Sequence, residues 1–459
     1  MATHPNIVFI LADDMGYGDF GVFNQGRSDT PALDRLVGES VCLTQHYSAS
    51  PVCAPARAGL LTGRYPHRTG AIDTFEGRGL DRIALRETTI ADLFNGAGYK
   101  TGLVGKWHCG ALDPRYHPNA RGFDEFIGFQ GGWQDYYDWR LDYNGTYKKG
   151  DGRYLTDVLT DEAIGFIKRY HKQPFFLHVS YNAPHFPMQA PEEAVQKYVE
   201  RGFNQGVALV YAMIECMDQG VERLLETIRQ TGIERNTIVI FTSDNGPDFK
   251  GEGEMSRERF NCNFNGYKGH VYEGGIRLPL TMRWPDGLEG GRHLDPMTHF
   301  TDWLPTLLAC AGIEIPAHLN LDGQNILPVL RGEKGDVNPK RFWQWNRYTP
   351  VITANAAMRN GDWKLVRPEI PAARYVAPED LAFDIALKYK PELFKDISRL
   401  PEPEREMPDP PPPQLFDLKR DPGEQHDLAD MNPERVAKML GELEDWFRAV
   451  EAERRSILD

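Results

Sequence analysis

Asp13-Asp14, Asp244-Asn245 and Lys106-Trp107-His108 each follow directly on a short apolar run in this 459-residue chain. Asp13, Asp14, Asp244 and Asn245 offer only oxygen donors. Brought together, their three carboxylates require a cation. The donor set suits a hard ion, calcium first with magnesium as the alternative, and disfavours zinc. Lys106, His108, Arg57 and His185 carry the opposite charge, and Lys268 in NGYKGHVYEGGIR joins them. A cation flanked by fixed lysine, arginine and histidine receives a tetrahedral oxyanion, because it neutralises both the bound group and the charge that develops in transfer. The expected substrate is a sulfate or phosphate ester. A nucleotide site is not expected, since GLVGKWH has Lys100 where a P-loop needs glycine and Trp107 where it needs serine or threonine.

These residues need a scaffold that delivers them to one place. NIVFILA (6–12), KTGLVG (100–105), PFFLHVSY (174–181) and TIVIFTS (237–243) are β-branched or aromatic runs without clean alternation, the pattern of strands covered on both faces. TTIADLFNGAG, LTDVLTDEAIGFIKRY and GVALVYAMIECMDQGVERLLETIRQTG read as helices, the last two with apolar residues at three-to-four spacing. The alternation predicts an α/β fold with a large, mostly parallel sheet sandwiched by helices. Its site lies beyond the carboxyl ends of the strands, where all four runs pass into acids, lysine or histidines.

The length predicts two domains: a catalytic domain over 1–345 and a smaller α+β domain over 346–459. In the latter, NAAMRNGDWKLVRP reads as a hairpin and PEPEREMPDPPPP as a stiff connector. Asn432-Pro433 starts a final helix whose Val436, Met439, Leu440, Leu443, Trp446, Phe447 and Val450 form one apolar stripe, predicted to be core.

A net charge of −14 argues against general binding to nucleic acid or an anionic membrane. No apolar segment reaches the roughly 20 residues of a membrane span. MATHPNIVFILADD has no basic start before its apolar run, so a cytoplasmic location is expected. The six cysteines lie far apart without a Cys-x-x-Cys pair, which predicts neither a disulfide framework nor a zinc ribbon.

Cys53 stands apart from the other five. Cys53-Ala54-Pro55-Ala56-Arg57, followed by AGLLTGRYPHRTG, resembles the signature of type I sulfatases of the alkaline phosphatase superfamily, in which Cys-x-Pro-x-Arg directs oxidation of the cysteine to formylglycine (3-oxoalanine). NIVFILADDMGYGD, GKWHCG, APHFP, SDNG and KGHVYEGGIRLP resemble further sulfatase blocks in the same order, over roughly residues 5 to 345.

The resemblance implies a metal held by Asp13, Asp14, Asp244, Asn245 and an oxygen of modified Cys53. It implies Lys106 and Lys268 on sulfate oxygens, His185 at the leaving alcohol and His108 taking a proton from the formylglycine hydrate, with the two histidine roles open to exchange. Arg57 would hold the hydrate, and a formylglycine-generating enzyme would be a partner during maturation. A hydrated aldehyde suits the task because one oxygen attacks sulfur and the second hydroxyl expels sulfate afterwards. The alternatives are a phosphate or phosphonate ester hydrolase of the same superfamily, or a silent binder of sulfated glycans. As substrate, a sulfated carbohydrate is expected over a simple aryl sulfate. GGWQDYYDWRLDYNGTYKKG offers Trp133 and Asp135 for stacking on and hydrogen bonding to sugar, and RFWQWNRY (341–348) offers a second wall.

Overall fold

A computed structural model describes residues 4–249, 256–333, 335 and 337–457. Its large sheet has eleven strands: β1 (Asn6–Ala12), β2 (Val41–Tyr47), β3 (Lys100–Lys106), β4 (Glu125–Phe129), β5 (Arg140–Tyr143), β6 (Thr146–Lys149), β7 (Phe175–Ser180), β8 (Thr237–Ser243), β9 (Arg277–Arg283), β10 (Arg292–Leu294) and β11 (Thr298–His299). The order is β10-β2-β9-β8-β1-β7-β3-β4-β5-β6, with β11 also on β2. From β8 to β4 the strands are parallel, and β9, β5 and β6 enter antiparallel.

Burial on both faces explains the unbroken apolar runs. Val8, Ile10 and Ala12 of β1 pack under the helices Leu155–Tyr170 and Gln205–Gln230, while Ile7, Phe9 and Leu11 pack under the helices Cys53–Thr62, Ile90–Gly96 and Trp303–Ala311. The four expected strands are present. β2, β4 and β9 went unread because their pairing is set by neighbours distant in sequence. β6, TYKK, is exposed along its whole length and carries no apolar signal at all.

Four further strands, β12 (Lys340–Gln344), β13 (Ala356–Asn360), β14 (Trp363–Arg367) and β15 (Gln414–Asp417), form an antiparallel sheet in that order. β12 belongs to it, so the small sheet begins before the expected boundary at 346. Met358 and Leu365 face Met439, Leu443, Trp446 and Val450 of the terminal helix Pro433–Arg454. Phe342 stacks on Trp446 with centroids 5.2 Å apart. The other face, with Ala357, Val366 and Phe416, packs on Tyr47 and Ile276 of the large unit. The terminal stripe is core, as its spacing predicts. All six cysteines are free, and no helix among the described residues is long and apolar enough to cross a membrane.

Candidate active site

Because β8, β1, β7 and β3 are adjacent and parallel, their carboxyl ends line up, with Ala12 beside Ser243 and Ser180 beside both Leu11 and Gly105. Asp13 and Asp14 leave β1, Asp244 and Asn245 leave β8, Lys106 closes β3, and His185 follows β7. Asp14 turns off its strand in the left-handed region, φ 66°, a conformation aspartate tolerates better than most residues. Gly105 permits the close approach of β3 and β7: a Cβ there would meet the Ser180 carbonyl oxygen at 1.9 Å.

Cys53 opens the helix Cys53–Thr62, and Pro55 falls in its first turn, where a missing N–H costs no intrahelical bond. Arg57 is four residues on and so shares the face of Cys53. Its guanidinium ties three strand ends together. Nε donates to Asp244 Oδ2 at 2.9 Å, and Nη1 donates to Ser180 Oγ at 2.6 Å and to the Lys106 carbonyl oxygen at 3.2 Å. Lys106 Nζ donates to Asp13 Oδ2 at 2.6 Å and Lys268 Nζ to Asp14 Oδ2 at 2.7 Å. Asn245 Nδ2 donates to Asp14 Oδ1 at 2.7 Å. The Gly269 amide donates to the Pro51 carbonyl at 2.8 Å, which fixes the Lys268 loop against the Cys53 turn.

This floor is dry. Asp13, Asp14, Arg57, Lys106, Asp244 and Asn245 are all buried. Burial, with repulsion from Asp244 and Asp14, pushes Asp13 up to about 8 despite Lys106 and Arg57. Burial acts on Asp14 the same way, but Lys268, with Lys106, outweighs it and holds its carboxyl below the ordinary range. The donor set fits a hard cation: one oxygen each of Asp13, Asp14 and Asp244 lie within 4.8 Å of one another, as do ligand atoms of Asp13, Cys53 and His185. Asp13 Oδ1 and Asn245 Oδ1 are buried without hydrogen-bond partners, which a metal would satisfy.

Burial pushes the Cys53 thiol up, although Lys106 and Lys268 oppose it. A thiol held protonated is a poor nucleophile. Burial and the nearby lysines hold His108 and His185 well below the usual imidazole range, so both rings are neutral. His185 Nδ1 lies 2.7 Å from the Phe186 carbonyl oxygen, which places its proton on Nδ1 and leaves Nε2 facing Asp14 Oδ2 at 3.7 Å. His108 Nε2 lies 3.1 Å from the Thr74 carbonyl oxygen, and its Nδ1 is buried without a partner.

Above the floor is a cavity of about 600 Å³ onto which Cys53, His108, His185 and Lys268 open. Lys106 and Arg57 lie beneath it, held down by their carboxylates. Of the two lysines expected on sulfate oxygens, Lys268 lines the cavity and Lys106 does not. Trp133 lines the cavity, its ring 5.2 Å from Phe186 and 5.8 Å from Tyr389. Asp135 does not. Its carboxylate accepts from the amides of Tyr137 and Asp138 and from Gln189 Nε2, all within 3 Å, so it caps its own loop. Of the 341–348 segment, Trp345 and Arg347 reach the cavity. Arg341 is buried against Asp302 at 2.7 Å, and Trp343 donates to the Ser48 carbonyl at 2.7 Å.

Glu76 and Lys388 are among the lining residues that were not anticipated. Glu76 accepts from the Gly132 amide at 2.5 Å, pairs with Lys388 and lies 3.8 Å from His108 Nε2. Lys388 belongs to the helix Pro378–Tyr389, which also places Leu381, Ile385 and Tyr389 on the cavity. Neither residue stands in a motif, and the partners of Glu76 lie up to 312 positions away.

Residues 5–313 match the sulfatase family model, and residues 265–373 match the model of the N-sulphoglucosamine sulphohydrolase C-terminal region. Mouse steryl-sulfatase is 30% identical over 99% of this chain and 83% of its own length. Mouse N-acetylgalactosamine-6-sulfatase is 33% identical over 76% of this chain and 70% of its own length. The crystal structure of Ps i-CgsB in complex with k-i-k-neocarrahexaose superposes with a TM-score of 0.81 at 29% identity, covering 97% of this chain and 93% of the other. An acid cluster at the ends of parallel strands, a cysteine at a helix start with arginine one turn on, and a matched family model over most of the chain lead to one conclusion: the chain belongs to the sulfatase family, in the alkaline phosphatase-like fold, and is a sulfuric ester hydrolase.

Proposed function

We propose that this protein hydrolyses the sulfate monoesters of carbohydrates to alcohol and inorganic sulfate, through a formylglycine made from Cys53. The observation that carries the reading is the placing of Cys53: it opens onto the cavity beside Lys268, His108 and His185, directly above the carboxylate cluster, with its thiol held protonated. The hydrated formylglycine supplies one oxygen to attack sulfur and a second hydroxyl to release sulfate. Asp13, Asp14, Asp244, Asn245 and residue 53 would hold a calcium ion, with magnesium as the alternative, which would supply fixed positive charge against the sulfuryl group.

The side chains divide the remaining work. Lys268 takes sulfate oxygens from the cavity wall, and Lys106 adds positive charge from beneath. Arg57 fixes residue 53 through the helix they share. The unpartnered Nδ1 of His108 takes a proton from the hydrate, and His185, neutral with its proton on Nδ1, orients the leaving alcohol at Nε2. Cys53 is 2% exposed and its whole helix is buried, which supports modification by a formylglycine-generating enzyme before the chain folds. The indole of Trp133 at the rim supports a sugar as the alcohol, as do the neocarrahexaose bound by one relative and the N-acetylgalactosamine sulfate ester named for another.

The test joins mass spectrometry of the Cys53 peptide to turnover on sulfated mono- and oligosaccharides, aryl sulfates and the matching phosphate esters. Formylglycine at residue 53 with sugar sulfates cleaved is expected. Full activity with an intact thiol would overturn the nucleophile. Aryl but no sugar sulfate cleavage would overturn the substrate class, and preference for phosphate esters would overturn the group transferred.

A further inference from the structure

A second cavity, of about 390 Å³, lies on the far side of Trp133, Glu76 and Lys388, which line both cavities. The partition is thin. A Cβ on Gly131 would meet Lys388 Nζ at 2.4 Å and Glu76 Oε2 at 2.6 Å, so backbone and ion pair are already in contact. The wall beyond is the β5–β6 hairpin with the segment after β4, roofed by Leu387, Pro391 and Phe394. A ligand long enough to pass over Trp133 meets both cavities.

The chemistry of the second cavity is that of a receptor for hydroxyls beside a flat face. Tyr147 presents a ring that is 50% exposed, with the Arg140 guanidinium 4.3 Å from its centroid. Gln130 Nε2 lies 3.4 Å from both the Tyr147 hydroxyl and Asp142 Oδ2, and His117 Nε2 lies 3.0 Å from the same Asp142 oxygen. Asp142 is itself buried. Aromatic faces bordered by amides, a carboxylate and a guanidinium bind sugar rings by stacking and by hydrogen bonds to their hydroxyls. The charges argue against a second sulfate. Arg140 is paired with Glu392 at 3.4 Å, Lys388 is paired with Glu76, and Asp113 and Asp142 add two further carboxylates to the lining.

We infer that the second cavity is a subsite for a sugar ring that carries no sulfate, joined through an oligosaccharide to the ring whose ester is cleaved in the first. The inference rests on the carbohydrate reading above and makes the substrate an oligosaccharide rather than a monosaccharide.

The experiment measures kcat/KM of the formylglycine-bearing enzyme on 4- and 6-sulfated galactose and N-acetylgalactosamine, each as monosaccharide, disaccharide and tetrasaccharide with a single sulfate. Wild type, Tyr147→Ala and Tyr147→Phe are compared. A filled second subsite raises kcat/KM from mono- to tetrasaccharide by about tenfold or more, and Tyr147→Ala removes that gain while Tyr147→Phe, which keeps the ring, retains most of it. The monosaccharide value should move less than about twofold in either variant, within the scatter of a change that leaves the cleaved ring untouched. Equal efficiency across chain lengths, or a tetrasaccharide gain that survives Tyr147→Ala, overturns the subsite while leaving the carbohydrate reading intact. Cleavage of aryl sulfates with none of the sugars overturns both.

Discussion

The floor of the active site and its outer wall are built on opposite plans. Asp13, Asp14, Lys106 and Asp244, from adjacent strand ends, and Arg57, from the helix Cys53–Thr62, are at most 2% exposed, and Lys106 and Arg57 are bonded to carboxylates at 2.6 and 2.9 Å. The wall is the helix Pro378–Tyr389, whose Leu381, Ile385 and Tyr389 are 52%, 45% and 65% exposed. That helix also lies beyond residue 373, where the family-model match ends. The difference separates two tasks. Sulfuryl transfer needs charges that cannot move, and a layered sheet supplies them. A helix inserted between β14 and β15 offers a surface that can vary without disturbing those charges.

Breaking the floor should therefore cost most. Asp244→Ala removes a proposed metal ligand and leaves Arg57 buried without its carboxylate, a loss on the order of 3–5 kcal/mol in a pair of this kind. Turnover of an aryl sulfate should fall by about a thousandfold or more, and elemental analysis should find the metal gone. Stoichiometric metal in a folded Asp244→Ala enzyme would show that the floor is not one unit. Lys268→Ala comes next. It removes a fixed positive charge at the cavity and one of the two side-chain donors to Asp14, leaving that of Asn245, so kcat should drop by the equivalent of about 2–4 kcal/mol while the melting temperature falls less than in Asp244→Ala. An unchanged kcat would take Lys268 out of the site.

How far the sequence could be read follows the same division. Asp13, Asp244, Lys106 and His185 were legible because each ends an apolar run, and parallel strands deliver their carboxyl ends to one edge. Cys53 and Arg57 were legible as a spaced pair whose resemblance names a chemistry. Asp135 looked like a sugar ligand by composition. A turn offers an aspartate the amides of Tyr137 and Asp138, and local hydrogen bonds won. Glu76 and Lys388 were invisible for a different reason. Their meaning lies in one ion pair across a long loop closure, and no periodicity encodes that. Lys340–Gln344 was assigned to the large domain by position, yet its hydrogen bonds go to Ala356–Asn360.

The wall should yield smaller and more selective effects. Trp133→Ala is expected to reduce kcat/KM on a sugar sulfate by about tenfold, as loss of one stacking face implies, and on a small aryl sulfate by less than about threefold. Equal losses on both would mean that Trp133 supports the floor through Phe186 instead of meeting the alcohol.

The smallest effect sharpens what makes a floor a site. Lys364, Glu273 and Glu424 form a charge cluster as buried as the catalytic one, where the small sheet meets the large unit, with Lys364 Nζ 2.9 Å from Glu273 and 2.8 Å from Glu424. It does not line the active-site cavity and joins the two units. Burial, with repulsion from Glu273, pushes the Glu424 carboxyl up to about 7 against the pull of Lys364. The unfolded chain has its ordinary value of 4.5, so between these two pH values the folded protein keeps a proton that the unfolded chain has released. Stability from this group is therefore full below the unfolded value and lost as pH rises through about 7. Glu424→Gln imitates the protonated acid and has no proton to lose. Urea midpoints measured at about pH 5 and about pH 8 should fall less in the variant than in wild type, while kcat on an aryl sulfate stays within about twofold. Parallel midpoints would show Glu424 ionised in the fold. A large loss of kcat would show that this second buried cluster is coupled to the first, and the division between chemistry and scaffold would have to be redrawn at β14.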